Sequence, residues 1–309
     1  MSGETKTLVA SAVRTRIRLM DYIELMKPEL TFLSVLTALC GFYLASEGAF
    51  AIFGFVHTAL GTALVGGGAG ALNQYIERSY DALMKRTERR PLPAGRIAPT
   101  EALIFGIVVA VAGLTELMLF VNLLTSFLAF LTITSYLFLY TPLKRVTPSA
   151  TLVGGIPGAL PPLMGWAAAR NELAGEAWIL FAILFLWQMP HFLSLAWMYR
   201  KDYARAGFKM LTVVDENGSR TARQIVLFCA ALLPASLMST FAGMTGSPYL
   251  VGALALGFAF LAIAILFAWY TKYDADESLA KANFYSRKIF FLSLLYLPAL
   301  MFLMTIDKL

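Results

Sequence analysis

The chain has 309 residues, of which 59% are hydrophobic and 14% are charged, and its mean hydropathy is +0.69. Soluble domains contain roughly 45–50% apolar and about 25% charged residues, so this composition excludes an ordinary soluble protein. The net charge of +6 does not indicate a nucleic-acid partner. Most of the basic residues abut apolar segments, where anionic lipid headgroups and membrane topology account for them.

Nine apolar segments are long enough to cross a bilayer, which takes about 20 residues of helix. These spans are Leu30–Ser46, Ala51–Tyr75, Glu101–Phe120, Leu124–Leu143, Ala150–Ala168, Trp178–Tyr199, Ile225–Ala242, Tyr249–Tyr270 and Lys288–Thr305. Because a lipid-exposed backbone must satisfy its own hydrogen bonds, each is predicted to be helical. The fold class is therefore all-α, a polytopic membrane protein with one transmembrane domain over residues 1–309.

Basic residues fall mostly on one side of this nine-span arrangement. Segment 1–28 carries Lys6, Arg14, Arg16, Arg18 and Lys27, and the connections after the second, fourth, sixth and eighth spans are also basic. Arg170 and Lys308 fall on the opposite side. Because short basic loops stay in the cytoplasm, we expect a cytoplasmic N-terminus and an outside C-terminus in a bacterial inner membrane.

The connection after the second span begins with a stripe of oxygen ligands. Asn73, Glu77 and Asp81 are spaced i, i+4 and i+8, so a continuing helix places them on one face at the membrane surface. The cations that follow are Lys85, Arg86, Arg89 and Arg90. Hard oxygens beside cations suit a magnesium-bound diphosphate. The alternative is a solvated helix end whose basic residues serve topology alone.

Further polar residues lie on the same predicted face. Lys144 and Arg145 follow the fourth span and add cations. Asp202 occupies the inner end of the sixth span, as the first stripe occupies the second. It is either a second metal or diphosphate contact or a surface ion pair. The matching positions also suggest a parallel repeat of four plus four helices, with the ninth span appended.

The sixth span carries Trp187, Gln188, Pro190 and His191 two to three turns from its inner end. Such residues are costly in lipid, so they are predicted to face a cavity. His191 could contact a metal porphyrin, hydrogen-bond a propionate or act as a base, unless a neighbouring helix simply satisfies it. His57, near the outer end of the second span, is interpreted as structural.

Two other features of the spans bear on packing. The fifth span is rich in glycine and proline between Gly154 and Trp166, which predicts an irregular segment that lines a cavity, close helix packing, or both. Cys40 and Cys229 lie in different spans without metal-type or redox spacing, so they are interpreted as packing residues.

Taken in order, these motifs resemble the intramembrane aromatic prenyltransferases of the UbiA type, and within them the branch that forms heme O. The resemblance rests on Asp21-Tyr22, Lys27-Pro28, Asn73-x3-Glu77-x3-Asp81, Arg86-Thr87, Arg90-Pro91, Tyr140-Thr141, Leu143-Lys144-Arg145, Gly165-Trp166, Trp187-Gln188-x-Pro190-His191-Phe192 and Asp202-Tyr203. It covers nearly the whole chain. Three residues depart from the family pattern: Glu77 and Ser79 stand where aspartate is usual, and Lys209 replaces a proline.

The resemblance implies transfer of a farnesyl group from farnesyl diphosphate to a vinyl group of heme b, with water adding, to give heme O for terminal oxidases. It implies Mg²⁺ held by Asn73, Glu77, Asp81 and Asp202. The diphosphate would be bound by Lys85, Arg86, Arg90, Lys144 and Arg145. The heme would be contacted by Trp187, Gln188, His191 and Tyr203. Expected partners are the lipid bilayer and a downstream heme A synthase or oxidase assembly factors.

Two other functions remain open from the sequence. A family member acting on an aromatic quinone precursor or a chlorin would share the acidic stripe, and His191 would then have no role in heme binding. A transporter could also place polar residues and broken helices inside a bundle. Transporter sites usually lie near the bilayer midplane, whereas these acidic groups are predicted at one surface beside cations, which favours diphosphate binding.

Overall fold

The computed structural model describes residues 18–272 and 276–309, so Lys6, Arg14 and Arg16 of the basic N-terminal segment lie outside the described residues. The helices are α1 (Pro28–Ala45), α2 (Ile52–Asp81), α3 (Pro99–Phe120), α4 (Leu123–Thr134, continued to Leu143), α5 (Ala150–Arg170), α6 (Gly175–Met198), α7 (Arg200–Arg205), α8 (Leu211–Val214), α9 (Ser219–Phe241), α10 (Ser247–Tyr270) and α11 (Asp276–Ile306). Within the described residues, nine of them have the length and hydropathy to cross a membrane, which confirms the all-α prediction.

Several helices begin or end at residues other than the predicted ends of the spans. Helix α2 continues beyond Tyr75 to Asp81, and α11 begins at Asp276 rather than at Lys288. In both cases a helical segment with polar residues extends the apolar span. Hydropathy detects the apolar part of such a helix and misses its polar extension, which still forms the same i→i−4 hydrogen bonds.

The fifth span was predicted to be irregular and to line a cavity. The irregularity is wrong, whereas Gly154, Pro157 and Gly158 do line the cavity described below. Helix α5 is continuous although it contains Pro157, Pro161 and Pro162, and it is the most buried of the described spans. It packs between α1 and α6. Glycines allow this close approach: a Cβ on Gly41 would lie 2.2 Å from the Pro162 carbonyl oxygen, and one on Gly165 would lie 1.7 Å from that of Ala38. Close packing, the other expectation for this span, is thus confirmed.

A departure from α-helical geometry occurs instead in α4, where Ser135–Tyr140 form a π-helical segment. Single π-helical turns are rare and are frequently found at functional sites. The segment brings Tyr140 against α5, where a Cβ on Gly154 would lie 2.5 Å from the tyrosine ring. Lys144 and Arg145 follow directly after this helix.

The two ends of the bundle differ in chemistry. Connections 82–98 and 199–218 lie together at one end, called here the cationic end, where Met84 packs with Ala206, Phe208 and Met210. At the opposite end Arg170 pairs with Glu47, and Lys308 donates to the carbonyl oxygen of Tyr43 at 2.8 Å. Arg170 and Lys308 thus lie at the end opposite the two long connections.

Candidate active site

The stripe of oxygen ligands lies on one face of α2 and points into the protein. Asn73, Glu77 and Asp81 have exposed fractions of 1%, 5% and 1%. The continuous helix to Asp81 therefore places three polar side chains inside the bundle at the cationic end. A solvated helix end would leave these groups in water. Their burial therefore argues against the alternative in which this is a solvated helix end and its basic residues only set the membrane topology.

Each residue of the stripe is paired with a cation from another segment. Lys27 Nζ donates to Asn73 Oδ1, and Arg90 Nη1 donates to Asp81 Oδ2 at 2.8 Å. Lys144 Nζ lies 2.9 and 3.2 Å from the two carboxylate oxygens of Glu77. Buried carboxylates require such partners, because desolvating an unpaired charge is very costly. Four segments of the chain thus converge on one charged cluster.

Lys27 connects this cluster with the start of α1. Its backbone is left-handed, with φ of 50°, which is uncommon for a residue other than glycine. Such backbone strain tends to occur at functional sites. Loss of water around the ammonium, and then the nearby Arg90, lower the pKa of Lys27 to about 7, while Glu77 opposes the shift. An anion arriving beside Lys27 would favour its charged form.

Lys144 and Arg145 are fixed by aromatic rings as well as by hydrogen bonds. Burial alone lowers the pKa of Lys144, but Tyr140 and Glu77 beside it raise that pKa above its usual value, so this ammonium is charged at neutral pH. Arg145 lies 4.1 Å from the ring centre of Tyr80 and donates to its hydroxyl at 3.0 Å. Cation–π contacts of this kind hold the cations in place.

The remaining predicted diphosphate contacts lie further out. Arg86 Nη2 donates to the hydroxyl of Tyr203 at 3.3 Å, which links the two long connections. Tyr203 packs with the Met84 cluster and is not among the residues that line the cavity described below. Lys85 is exposed.

Asp202 does not join the stripe in this structure. It is half-buried and pairs with Arg205 one turn further along α7. Over the described ranges, no three acidic, histidine or cysteine side chains come close enough to share one ion. The donors Asn73, Glu77 and Asp81 nevertheless fit a hard divalent cation, because they present amide and carboxylate oxygens on one helix face.

A cavity lies next to the charged cluster and contains about 1010 Å³ of empty space, including that at its opening. Lys27 and Tyr140 lie on its wall, as do Gly66 and Gly70 of α2, close before Asn73. The other lining residues are Leu30, Thr31, Leu33, Ser34, Thr37, Ala69, Thr132, Tyr136, Gly154, Pro157, Gly158, Leu184, Trp187, Gln188, His191 and Phe192. Most of this surface is apolar.

The polar residues of α6 line this cavity, as their cost in lipid predicted. Gln188 Nε2 donates to the carbonyl oxygens of Leu184 at 3.0 Å and Gly155 at 3.2 Å. His191 Nδ1 lies 2.7 Å from the hydroxyl of Ser293 on α11. His57, in contrast, pairs with Glu116 towards the opposite end, which agrees with a structural role.

Several residues of the site carry no signal in the sequence that would have assigned them to it. Lys27 was noted as part of a motif but was not predicted to touch the stripe. Thr141, which accepts a hydrogen bond from Asn73 Nδ2 at 3.1 Å, and Ser293 are small polar residues inside apolar spans. A polar residue within a span is a weak signal by itself, because many such side chains bond their own helix backbone, as Ser135 does.

Known proteins are similar to this chain over most of its length. The model of the UbiA prenyltransferase family matches residues 34–295. A protoheme IX farnesyltransferase from Solibacter usitatus is 46% identical over 93% of this chain and 98% of its own length. Proteins with the same name from Koribacter versatilis and Salinibacter ruber are 40% and 45% identical, over 100% and 94% of this chain and 99% of theirs.

Solved structures share the fold at low identity. A digeranylgeranylglyceryl phosphate synthase superposes with a TM-score of 0.73 and 18% identity over 93% of this chain and 99% of its own. A UbiA homolog from Archaeoglobus fulgidus bound to GPP and Mg²⁺ gives 0.61 and 13%, over 92% and 99%. From the matched family model and the full-length relatives, this chain belongs to the UbiA prenyltransferase family and is an integral membrane prenyltransferase.

Proposed function

We propose that this enzyme transfers the farnesyl group of farnesyl diphosphate to a vinyl group of heme b in a Mg²⁺-dependent reaction, and that water adds to complete heme O. The support is the name protoheme IX farnesyltransferase carried by relatives 40–46% identical over nearly the whole chain. The A. fulgidus homolog bound to GPP and Mg²⁺ supports a prenyl diphosphate and magnesium in the shared fold.

The observation that carries the proposal is the charged cluster beside an apolar cavity. Lys144, Arg90 and Lys27 lie within hydrogen-bonding distance of Glu77, Asp81 and Asn73, and Lys27 also lines the cavity. A prenyl diphosphate has the same division, with an anionic head and an apolar tail. The cluster therefore matches the head of the donor, and the cavity matches its tail.

The chemistry requires stabilisation of a leaving group. An allylic diphosphate loses its prenyl group when negative charge developing on the diphosphate is stabilised. Mg²⁺, which Asn73, Glu77 and Asp81 would hold, would supply Lewis-acid charge there. Lys144, Arg90, Arg86 and Arg145 add fixed positive charge, and Lys27 adds a further cation at the cavity wall.

The cavity wall serves the second half of the reaction. Its apolar residues exclude bulk water from the farnesyl chain, so that a carbocation survives long enough to meet the vinyl carbon. Trp187, Gln188 and His191 lie on the wall formed by α6. We place the heme against this wall, because its residues distinguish the heme-modifying branch of the resemblance. An interaction with a heme A synthase or oxidase assembly factors stays a prediction.

The test is a defined reaction with purified protein in lipid nanodiscs. Heme b, farnesyl diphosphate and Mg²⁺ are expected to give hydroxyethylfarnesyl porphyrin by mass analysis, and chelation of Mg²⁺ by EDTA is expected to abolish it. Parallel reactions contain 4-hydroxybenzoate or a chlorin as acceptor. Prenylation of one of those acceptors but not of heme would contradict the proposed substrate, and no prenylated product at all would contradict the proposed reaction.

A further inference from the structure

Ser293 on α11 makes two contacts with the cavity wall formed by α6. Its hydroxyl lies 2.7 Å from His191 Nδ1, and its backbone carbonyl accepts a hydrogen bond from Trp187 Nε1 at 2.9 Å. Ser293 is fully buried. One residue thus anchors both the histidine and the tryptophan of the motif that the sequence associated with heme.

The hydroxyl of Ser293 also lies 2.6 Å from the carbonyl oxygen of Phe290. A serine hydroxyl has one proton, and a carbonyl oxygen can only accept. If that proton pointed to His191, lone pairs of Ser293 Oγ and of the Phe290 carbonyl oxygen would face each other at 2.6 Å. The proton therefore points to Phe290, and His191 Nδ1 must carry the hydrogen that it donates to Ser293. This arrangement leaves Nε2 of the neutral ring without a proton.

The histidine ring is fixed by its neighbours. It stacks on Trp187 with ring centres 5.1 Å apart and on Phe290 with ring centres 4.9 Å apart, at interplanar angles of 18° and 26°. His191 lines the cavity, and no group of the described residues forms a hydrogen bond with its Nε2. His191 thus presents a rigid imidazole at the cavity wall, with Nε2 as the ring nitrogen left for a ligand.

We propose that His191 Nε2 is an axial ligand to the iron of heme b during the reaction, and that Ser293 is the positioning residue that fixes the required tautomer. The inference rests on the proposed function, because it takes heme b as the acceptor. Histidines that bind metals usually donate their other ring N–H to an oxygen, which sets the tautomer and the ring orientation. Ser293 provides this oxygen.

The same hydrogen-bond arrangement bears on the other roles considered for His191. A contact with a heme propionate needs an N–H directed into the cavity, but the hydrogen of the neutral ring is on Nδ1 and points to Ser293. A proton-accepting role uses the same lone pair as iron ligation does. The two differ in observable consequences, because only ligation changes the electronic spectrum of bound ferric heme.

The experiment measures ferric heme b bound to the full-length protein in nanodiscs, by absorption and electron paramagnetic resonance spectroscopy. We expect a histidine-ligated spectrum that is lost in His191→Ala and restored when free imidazole is added. The chain has one other histidine, His57, so His57→Gln is the matched control and should keep the wild-type spectrum. An unchanged spectrum in His191→Ala would contradict iron ligation by His191 and leave proton acceptance as the role of this residue.

Ser293 is tested by a matched pair of variants. Ser293→Ala removes the acceptor for Nδ1 but keeps the backbone carbonyl that bonds Trp187, so the indole contact should persist. We expect heme affinity to fall about 10- to 100-fold, as for other groups that support metal ligands. Ser293→Thr retains the hydroxyl and should restore the affinity. Equal affinity in the alanine variant and the wild type would contradict the positioning role.

The outcomes separate this inference from the proposed function. If wild-type protein binds no heme b and forms no heme product, the proposed acceptor is wrong. If it binds heme b and farnesylates it while His191→Ala keeps the wild-type spectrum, the acceptor is correct and the ligation alone fails. Imidazole rescue shows that His191→Ala has retained its fold.

Discussion

Asp81 shows how a single buried carboxylate links stability and chemistry. It is almost fully enclosed, pairs with Arg90 and accepts a hydrogen bond from Thr87 through its backbone carbonyl at 2.8 Å. A charge in this position is tolerated because it is paired. The same pairing places a carboxylate and a guanidinium side by side, as binding of a magnesium diphosphate requires. The backbone of Asp81 thus holds the following turn through Thr87, and its side chain pairs with a cation of the proposed diphosphate site.

Replacing Asp81 by Ala should lower kcat about 100- to 1,000-fold or abolish product, because one group that stabilises the leaving diphosphate is removed. The measurement is farnesyl transfer by protein purified from membranes, with its folded state checked by gel filtration and circular dichroism. Glu88→Ala, an exposed acid in the same connection, is the control and should retain activity. Full activity of a folded Asp81→Ala protein would remove Asp81 from the metal site.

Lys27 gives a prediction that concerns binding rather than the chemical step. Lys27→Met keeps most of the side-chain volume and removes the ammonium that touches Asn73 at the cavity wall. We expect the KM for farnesyl diphosphate to rise about 10- to 100-fold, which corresponds to a hydrogen bond with a charged group of about 1.5–3 kcal/mol. Steady-state kinetics over a range of farnesyl diphosphate concentrations measure this KM.

The control for Lys27 is Lys201→Met. Lys201 is exposed on the same end of the bundle, so its replacement removes a positive charge from this end without touching the cavity. A similar rise in KM for both variants would show that general attraction of an anion, and not a contact of Lys27, accounts for the effect.

At the scale of the element, the crossing of α1 and α5 decides the shape of one cavity wall. The two helices approach closely at Gly41 and Gly165, and both of them contribute residues to the cavity. A stretch of π-helix in α4 brings Tyr136 and Tyr140 to the same space. Small residues at the crossing thus allow three helices to enclose the cavity without large side chains between them.

Gly165→Ala is expected to lower the free energy of unfolding by about 1–3 kcal/mol, because the new methyl group overlaps backbone that cannot move aside cheaply. Its Cβ would lie 1.7 Å from the Ala38 carbonyl oxygen. Thermal unfolding in detergent measures the change. Gly175→Ala is the matched control, since a Cβ there meets no atom within 4 Å. Equal unfolding temperatures for the two variants would contradict the close crossing.

At the scale of the whole molecule, the bundle separates charge between its ends. The cationic end holds the candidate site, while at the other end Asp307 accepts from the backbone N–H of Tyr249 at 2.7 Å and Lys308 donates to carbonyl oxygens of α1. The C-terminal residues therefore tie the ends of three spans together. This separation also makes the orientation in the membrane testable.

The predicted topology places Glu88 in the cytoplasm and Glu172 outside, and both side chains are exposed. In intact spheroplasts, a membrane-impermeant thiol reagent should label Glu172→Cys, whereas Glu88→Cys should react only after the membrane is opened. The native Cys40 and Cys229 are buried, so they give little background. Labelling with the reverse preference would show that the orientation is opposite to the predicted one and that the candidate site lies outside.

The amino-acid sequence by itself determined the features that depend on local order along the chain. Nine apolar runs specified the nine membrane helices found among the described residues, because a backbone in lipid has no other economical way to bond its polar groups. The spacing of Asn73, Glu77 and Asp81 placed them on one face, because the helical period is fixed. The ordered motifs also gave the family, which the comparisons confirmed.

The tertiary structure decided which residues meet across segments distant in the chain. The pairings of Lys27 with Asn73, Lys144 with Glu77 and His191 with Ser293 join residues separated by 46, 67 and 102 positions. No periodicity encodes such contacts, since they depend on helix packing. The persistence of α5 through its prolines has the same origin, because neighbouring helices stabilise a segment whose local propensity is poor. Local rules therefore gave the helices and the candidate ligands, and packing gave the cavity and the partners of each charge.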